Sequence, residues 1–521
     1  MRYFSPSLRR TASRVIKPAP GRARSRILAA LLLASSGASA CSLRQQPPEA
    51  RQGRTADEGR SQPPVEINDL VREARALPAE FASDALLLIA ESDRITSKDR
   101  RRELLEEAFR VAAGAQQPVR LVARPGSSVD TRASYRARAL ARKLDALSLR
   151  TRAVRAMMPL DGQRARHLFA EIPKLQLPPL GCEDALVYEV SDYYDVLGDL
   201  ARTAFTKEEV EASADISFVR PYVTRMTSPA QVGPLARVVL AVGENRPDGL
   251  SRLARDFGAA LAKISGDDRS FSFSVAEGSG GGGVAELLAA CKQQNIPAHD
   301  LLKAARGYFV RHLSGRRCAD NVAAEDGSFP NPEYVDSFNR LLSETAMGSK
   351  TPTPITADEI KPSAVAERAA EYPYWQTPEA KRLLARLREL RFGAANRPLT
   401  GEQKKEAHWL RSLRGLLDDL TAWDGGSEVS EADFFHQKGT LFEGLLKAAP
   451  PDPERDDVLN AFRAFLSNAR VRQDSRIDWF LHAEFLIKAA HAAAEPDRPK
   501  ILGMLTNSGD PILRLYARLE L

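Results

Sequence analysis

From residue 66 to its end the chain repeats apolar residues at spacings of three and four, and it almost never alternates them with polar ones. That period puts apolar side chains on one stripe of a helix, whereas a half-buried strand needs a period of two. Amphipathic helices are predicted at 66–77, 78–92 and 97–113, joined by turns short enough to make neighbours antiparallel. The third carries its own signals: Thr96 opens it, Asp99 follows three residues on, and Gly114 closes it. Further helices are predicted near 132–157, 162–172, 183–203, 206–214, 228–242, 247–264, 284–294 and 297–314. A C-terminal set follows near 377–391, 400–422, 430–449, 454–470, 476–493, 497–506 and 510–520. The clearest alternation is Ser270 to Val275, where Phe271, Phe273 and Val275 alternate with serine, and no partner strand follows it. It reads as an extended segment beside the glycines of 278–283, themselves read as a flexible loop, and a loop-rich insert runs to about residue 355. With 43% apolar residues to build a core, the expected class is all-α: stacked antiparallel helical hairpins forming an α-solenoid or superhelix, with few or no strands.

Three fragments resemble helical-repeat families. Tyr194, Leu197 and Gly198 resemble the opening of a tetratricopeptide helix, GTLFEGLLKAAPPDPE at 439–454 resembles the second helix of such a repeat, and SGDPILRLYARLEL at 508–521 resembles a HEAT-type helix. No constant period of about 34 or 40 residues links them. Ala201 and Phe205 also fall at the wrong distance for the first fragment. The resemblance implies a degenerate repeat protein that presents a surface to partners, and it brings no catalytic residues, cofactor or metal.

Ahead of the helices lies a leader. Eight basic residues and no acidic one precede Cys41, and Ile27–Leu33 forms an apolar block too short to span a bilayer. Ala38-Ser39-Ala40 supplies small residues for cleavage. Because Cys41 follows directly, the segment resembles a bacterial lipobox, which implies lipidation of Cys41; Ala38 stands where that motif usually has Leu. Ser42 after the cysteine implies sorting to the outer membrane. An ordinary secretory cleavage after Ala40 is the alternative. The organisation expected is signal peptide 1–40, disordered Pro- and Gly-rich tether 41–64, helical block 65–265, helices with inserts 266–376, and C-terminal helical block 377–521.

The leader also changes the charge argument. The whole chain carries +7, and subtracting the eight leader charges leaves −1, which removes most of the support for nucleic-acid binding. The Arg-rich stretch 132–166 reads as the solvated face of packed helices. Of the four cysteines, Cys291 sits in an apolar helical stretch, while Cys182 and Cys318 sit in loop-like contexts and are the disulfide candidates. The glycine run lacks the Lys and Ser or Thr of a P-loop, no H-E-x-x-H occurs, and Asp478, His482 and Glu484 read as an amphipathic helix with wet charges. Tyr372, Tyr374 and Trp375 gather ahead of a helix capped by Thr377, either as a ligand surface or as a plug between helical blocks. The function expected is a binding or scaffolding module of the bacterial envelope, lipid-anchored, with envelope proteins or glycans as partners. An envelope enzyme on an α/α scaffold, acting on polysaccharide or peptidoglycan, is the alternative.

Overall fold

The computed structural model describes residues 67–519 except 124–130, 182–183, 245, 267, 272–278, 315–331, 345–352, 361–373, 393–399, 451–452 and 492–496. Cys41, Cys182, Cys318, Tyr372, the leader and the tether lie outside the described residues.

Among the described residues the fold is all-α apart from one two-stranded ribbon. Helices α1 (Ile67–Arg75), α2 (Ala79–Glu91) and α3 (Lys98–Val111) pack in sequence. Ser97, not Thr96, caps α3, accepting a hydrogen bond from the Arg100 backbone N–H at 3.3 Å. Next come β1 (Leu121–Ala123), α4 (Arg132–Leu140), α5 (Ala146–Met157), α6 (Gly162–Glu171) and β2 (Leu186–Tyr188). The ribbon is antiparallel, with Val122 opposite Val187. After it run α7 (Ser191–Thr203), α8 (Lys207–Glu211), α9 (Ala214–Val223), α10 (Val232–Gly243), α11 (Pro247–Leu261), α12 (Ser279–Gln293), α13 (His299–Leu313) and α14 (Pro332–Glu344). The C-terminal block holds α15 (Pro378–Phe392), α16 (Ala407–Ala422), α17 (Glu431–Ala448), α18 (Glu454–Asn468), α19 (Val471–Asp474), α20 (Arg476–His491), α21 (Asp497–Thr506) and α22 (Pro511–Leu519).

The departures from the predicted helices have local causes. The helix expected over 132–157 is two, because Lys143 takes a left-handed φ of 59° and Asp145 starts α5 afresh, accepting from the Ser148 N–H at 2.9 Å. The ribbon strands are three residues each, too short to show a period. Helix α9 carries Pro221 inside it, which masks a helical pattern. Helix α14 lies within the stretch read as a loop-rich insert. The glycine run is a helix N-terminus rather than a flexible loop: α12 begins at Ser279 and crosses α10 so closely that a Cβ on Gly283 would stand 3.0 Å from the Gly233 Cα. Each glycine costs the helix about 1 kcal/mol of propensity relative to alanine, and the close crossing explains why one is needed at 283.

The C-terminal block packs on the first helices of the chain, α22 against α1 and α2, and α20 against α4. Phe81 of α2 lies 4.9 Å from the Phe480 ring and 6.3 Å from that of Tyr516. Beside it the fully buried Glu80 accepts from Arg476 Nε at 2.5 Å and Nη2 at 3.3 Å. The Arg-rich stretch is in part the solvated face expected of it, Arg132 and Arg138 being exposed, but it also makes ion pairs. Arg132 pairs with Asp433, Arg136 with Asp478 at 2.6 Å, and Arg142 with Glu484, so the cations of α4 and its following turn form a seam with α17 and α20. Arg152, on α5, pairs with Asp84 at 2.8 Å and Glu91 at 2.5 Å on α2. These arginines are matched to carboxylates brought in from distant sequence, a pairing invisible to local pattern.

Candidate functional site

The C-terminal block contains a cleft of about 570 Å³, in the range of small-molecule sites. Helix α17 supplies Phe434, Phe435, Lys438 and Phe442, whose spacing places them along one side of the helix. Helix α18 supplies Ala461, Ala464 and Phe465. The rings support one another: Phe465 stacks on Phe435 at 5.3 Å and on Phe442 at 5.5 Å, and Trp423 meets Phe434 edge-on at 5.0 Å. The turn after α16 closes over this wall through Gly425 at φ +85° and Gly426 at φ +65°. A Cβ at Gly425 would stand 2.6 Å from the Phe434 ring, so both the backbone angle and the contact require glycine there.

Lys438 is the chemically unusual member. It is 7% exposed, and its Nζ donates to the carbonyl oxygens of Thr421 at 3.1 Å and Trp423 at 2.5 Å, capping the C-terminus of α16. Its charge also lies 5.3 Å from the Phe434 centroid and 5.6 Å from that of Phe465. Burial pushes its pKa down to about 8, against a small upward pull from Asp424.

Behind Phe435 lies a second polar feature. His482 is fully buried, its Nδ1 2.7 Å from Glu443 Oε1 and its Nε2 3.2 Å from His436 Nδ1. With Glu443 as a carboxylate, His482 donates from Nδ1 and accepts at Nε2 from His436, which assigns one consistent set of tautomers. Burial, then the neighbouring His482, pushes the His436 pKa down to about 3, so His436 is a neutral ring. Gly439 makes room: a Cβ there would stand 2.7 Å from the His482 ring. The chain of groups is a satisfied buried network of the kind that fixes how helices dock.

Of the residues singled out in the sequence, Tyr374 and Trp375 are 6% and 7% exposed and offer a ligand little surface. Tyr374 stacks on Tyr135 of α4 at 4.4 Å, donates its hydroxyl to the Asp433 carbonyl at 3.0 Å, and accepts at its own carbonyl from Gln437 at 2.7 Å. Trp375 meets Tyr374 edge-on at 6.1 Å. The charges of α20 read as wet are in use, Asp478 and Glu484 pairing with Arg136 and Arg142. Cys291 is a free, fully buried thiol whose pKa burial pushes up to about 11. Among the described residues no three His, Cys, Asp or Glu side chains gather to hold a metal, and no helix is long and apolar enough to cross a membrane. The cleft escaped the sequence reading, although its signal is visible afterwards as a lysine set among phenylalanines in FFHQKGTLF. No family model matches the chain, and no curated protein is significantly similar to it.

Proposed function

We propose that this chain is an exported helical-repeat binding module, anchored to the bacterial envelope through a lipid on Cys41 and engaging envelope proteins or glycans. The leader, the near-neutral charge left after its removal, and the Pro- and Gly-rich stretch before the helices support the address and the tether. The observation that carries the binding role is the aromatic cleft between α17 and α18, which keeps Phe434, Phe435, Phe442 and Phe465 around about 570 Å³ of open space. A helix pair stabilised only for packing would close such a space, since interiors approach crystal density. Labelled palmitate should enter the full chain expressed in a bacterium, and Cys41→Ser should release it from membranes. A soluble, unlabelled wild type overturns the anchor. For the binding role, a photo-reactive phenylalanine analogue at Asn468, an exposed residue of the cleft, should cross-link to envelope material where the same analogue at exposed Glu103 does not. Equal labelling from both positions overturns it.

A further inference from the structure

A buried ammonium ordinarily has a carboxylate against it, because taking an unpaired charge out of water is costly. Lys438 has none. Among the described residues no carboxylate lies within ion-pair distance of its Nζ, and its two hydrogen-bond partners are neutral carbonyls. An ammonium has three donors, and the α16 carboxyl end takes two. The rings of Phe434 and Phe465 lie against it, Asp424 acts on it through space, and Glu431 and Arg470 line the same cleft. Asp424, on the loop after α16, is exposed and accepts from the Gly426 N–H at 3.1 Å; Glu431 and Arg470 are exposed at the rim.

From this arrangement we infer that the cleft binds a free anionic amphiphile, an aromatic or alkyl body lying on the phenylalanine wall with a carboxylate or sulfonate head received by Lys438. This rests on the binding-module reading only in taking the cleft as its site, and it is independent of where the protein resides. The cleft volume suits one small molecule rather than a protein segment of several side chains. Phe434 and Phe465, the half-buried rings of the wall, give the body its desolvation gain, backed by the buried Phe435 and Phe442, and the head supplies a carboxylate or sulfonate in direct contact, which Asp424 does not.

The test uses the full chain and two fluorescent probes of similar size, 1-anilinonaphthalene-8-sulfonate, which is anionic, and N-phenyl-1-naphthylamine, which is neutral. Wild type should bind the sulfonate probe saturably with one site, and dodecanoate should displace it. Lys438→Met should weaken the sulfonate probe by about tenfold to a hundredfold, the range of a charged hydrogen bond, while changing the neutral probe by less than about threefold. Lys438→Arg should keep most of the sulfonate affinity. Because Lys438 also caps α16, a second variant guards against simple misfolding: Ala464→Trp, at an exposed wall position, should block both probes with the helical circular dichroism unchanged. Equal loss of both probes in a folded Lys438→Met protein, or full sulfonate binding in Ala464→Trp, overturns the inference. Displacement by phosphatidylglycerol vesicles but not by dodecanoate overturns the assignment to a free molecule. Probe binding that behaves as expected alongside a failed palmitate label would leave the ligand standing and remove only the address.

Discussion

The ion pair between Glu80 and Arg476 predicts an asymmetry that a simple count of contacts would miss. The Glu80 carboxylate has no exposed surface, whereas 29% of the Arg476 side chain reaches solvent. Removing the arginine therefore strands a carboxylate beside Phe81 and the C-terminal aromatics, where water cannot reach it. Arg476→Ala should cost about 3–5 kcal/mol, the range for breaking a buried pair from the side that leaves a buried charge. Glu80→Ala leaves a guanidinium that can still turn to water, and should cost about 1–3 kcal/mol, the scale of a lost charged hydrogen bond. Replacing both at once with apolar residues of similar length, Glu80→Leu with Arg476→Met, should return the protein to within about 1–2 kcal/mol of wild type, because neither charge then needs desolvating. Urea unfolding followed by helical circular dichroism gives the three values. Hydrogen exchange in α2 and α20 shows whether the loss is at the docked ends. Equal costs for the two single changes, or Arg476→Ala costing less than about 1 kcal/mol, would refute the reasoning that the carboxylate is the group the fold has sealed in.

His436 titrates near 3 when folded and near its ordinary 6.5 when unfolded. The unfolded chain therefore takes the proton first, and stability should fall as pH drops from about 6.5 toward 3, by up to about 1.4 kcal/mol per unit. His436→Gln should flatten that part of the urea-midpoint profile, although Asp478, Asp433, Arg138 and His482 all act on the ring, and an unchanged slope would show that His436 is not the source. Trp375→Ala should cost about 3–5 kcal/mol by thermal or urea unfolding if its burial beside Tyr374 holds the blocks together, and a loss below about 1 kcal/mol would argue against that role. Gly283→Val puts a branched side chain where even a Cβ meets the α10 backbone at 3.0 Å, and should cost about 1–3 kcal/mol in the same assay.

Helix positions are legible in this sequence because the period of an amphipathic helix is a local property, set by residues three and four apart. What escapes is decided by partners far along the chain. The arginines of α4 look like a solvated face because their carboxylates lie some three hundred residues away, Arg132 to Asp433 being separated by 301 positions. Gly283 looks like part of a loop because its reason, the close approach of α10, is not written in its own neighbourhood. Lys438 belongs to the same class. On α17 alone it is one cation in a run of apolar residues, and only the arrival of the α16 carboxyl end and of Phe465 turns it into a buried charge hydrogen-bonded to carbonyls, with Asp424 acting on it from beyond ion-pair distance. A lysine at a core position is stable only when something meets its charge. The three donors against two backbone acceptors therefore point to a ligand independently of the open space in the cleft. By the same argument the Glu443–His482–His436 chain, equally buried and equally polar, points to docking rather than to ligand binding, because the bonds that link its three members close within the protein.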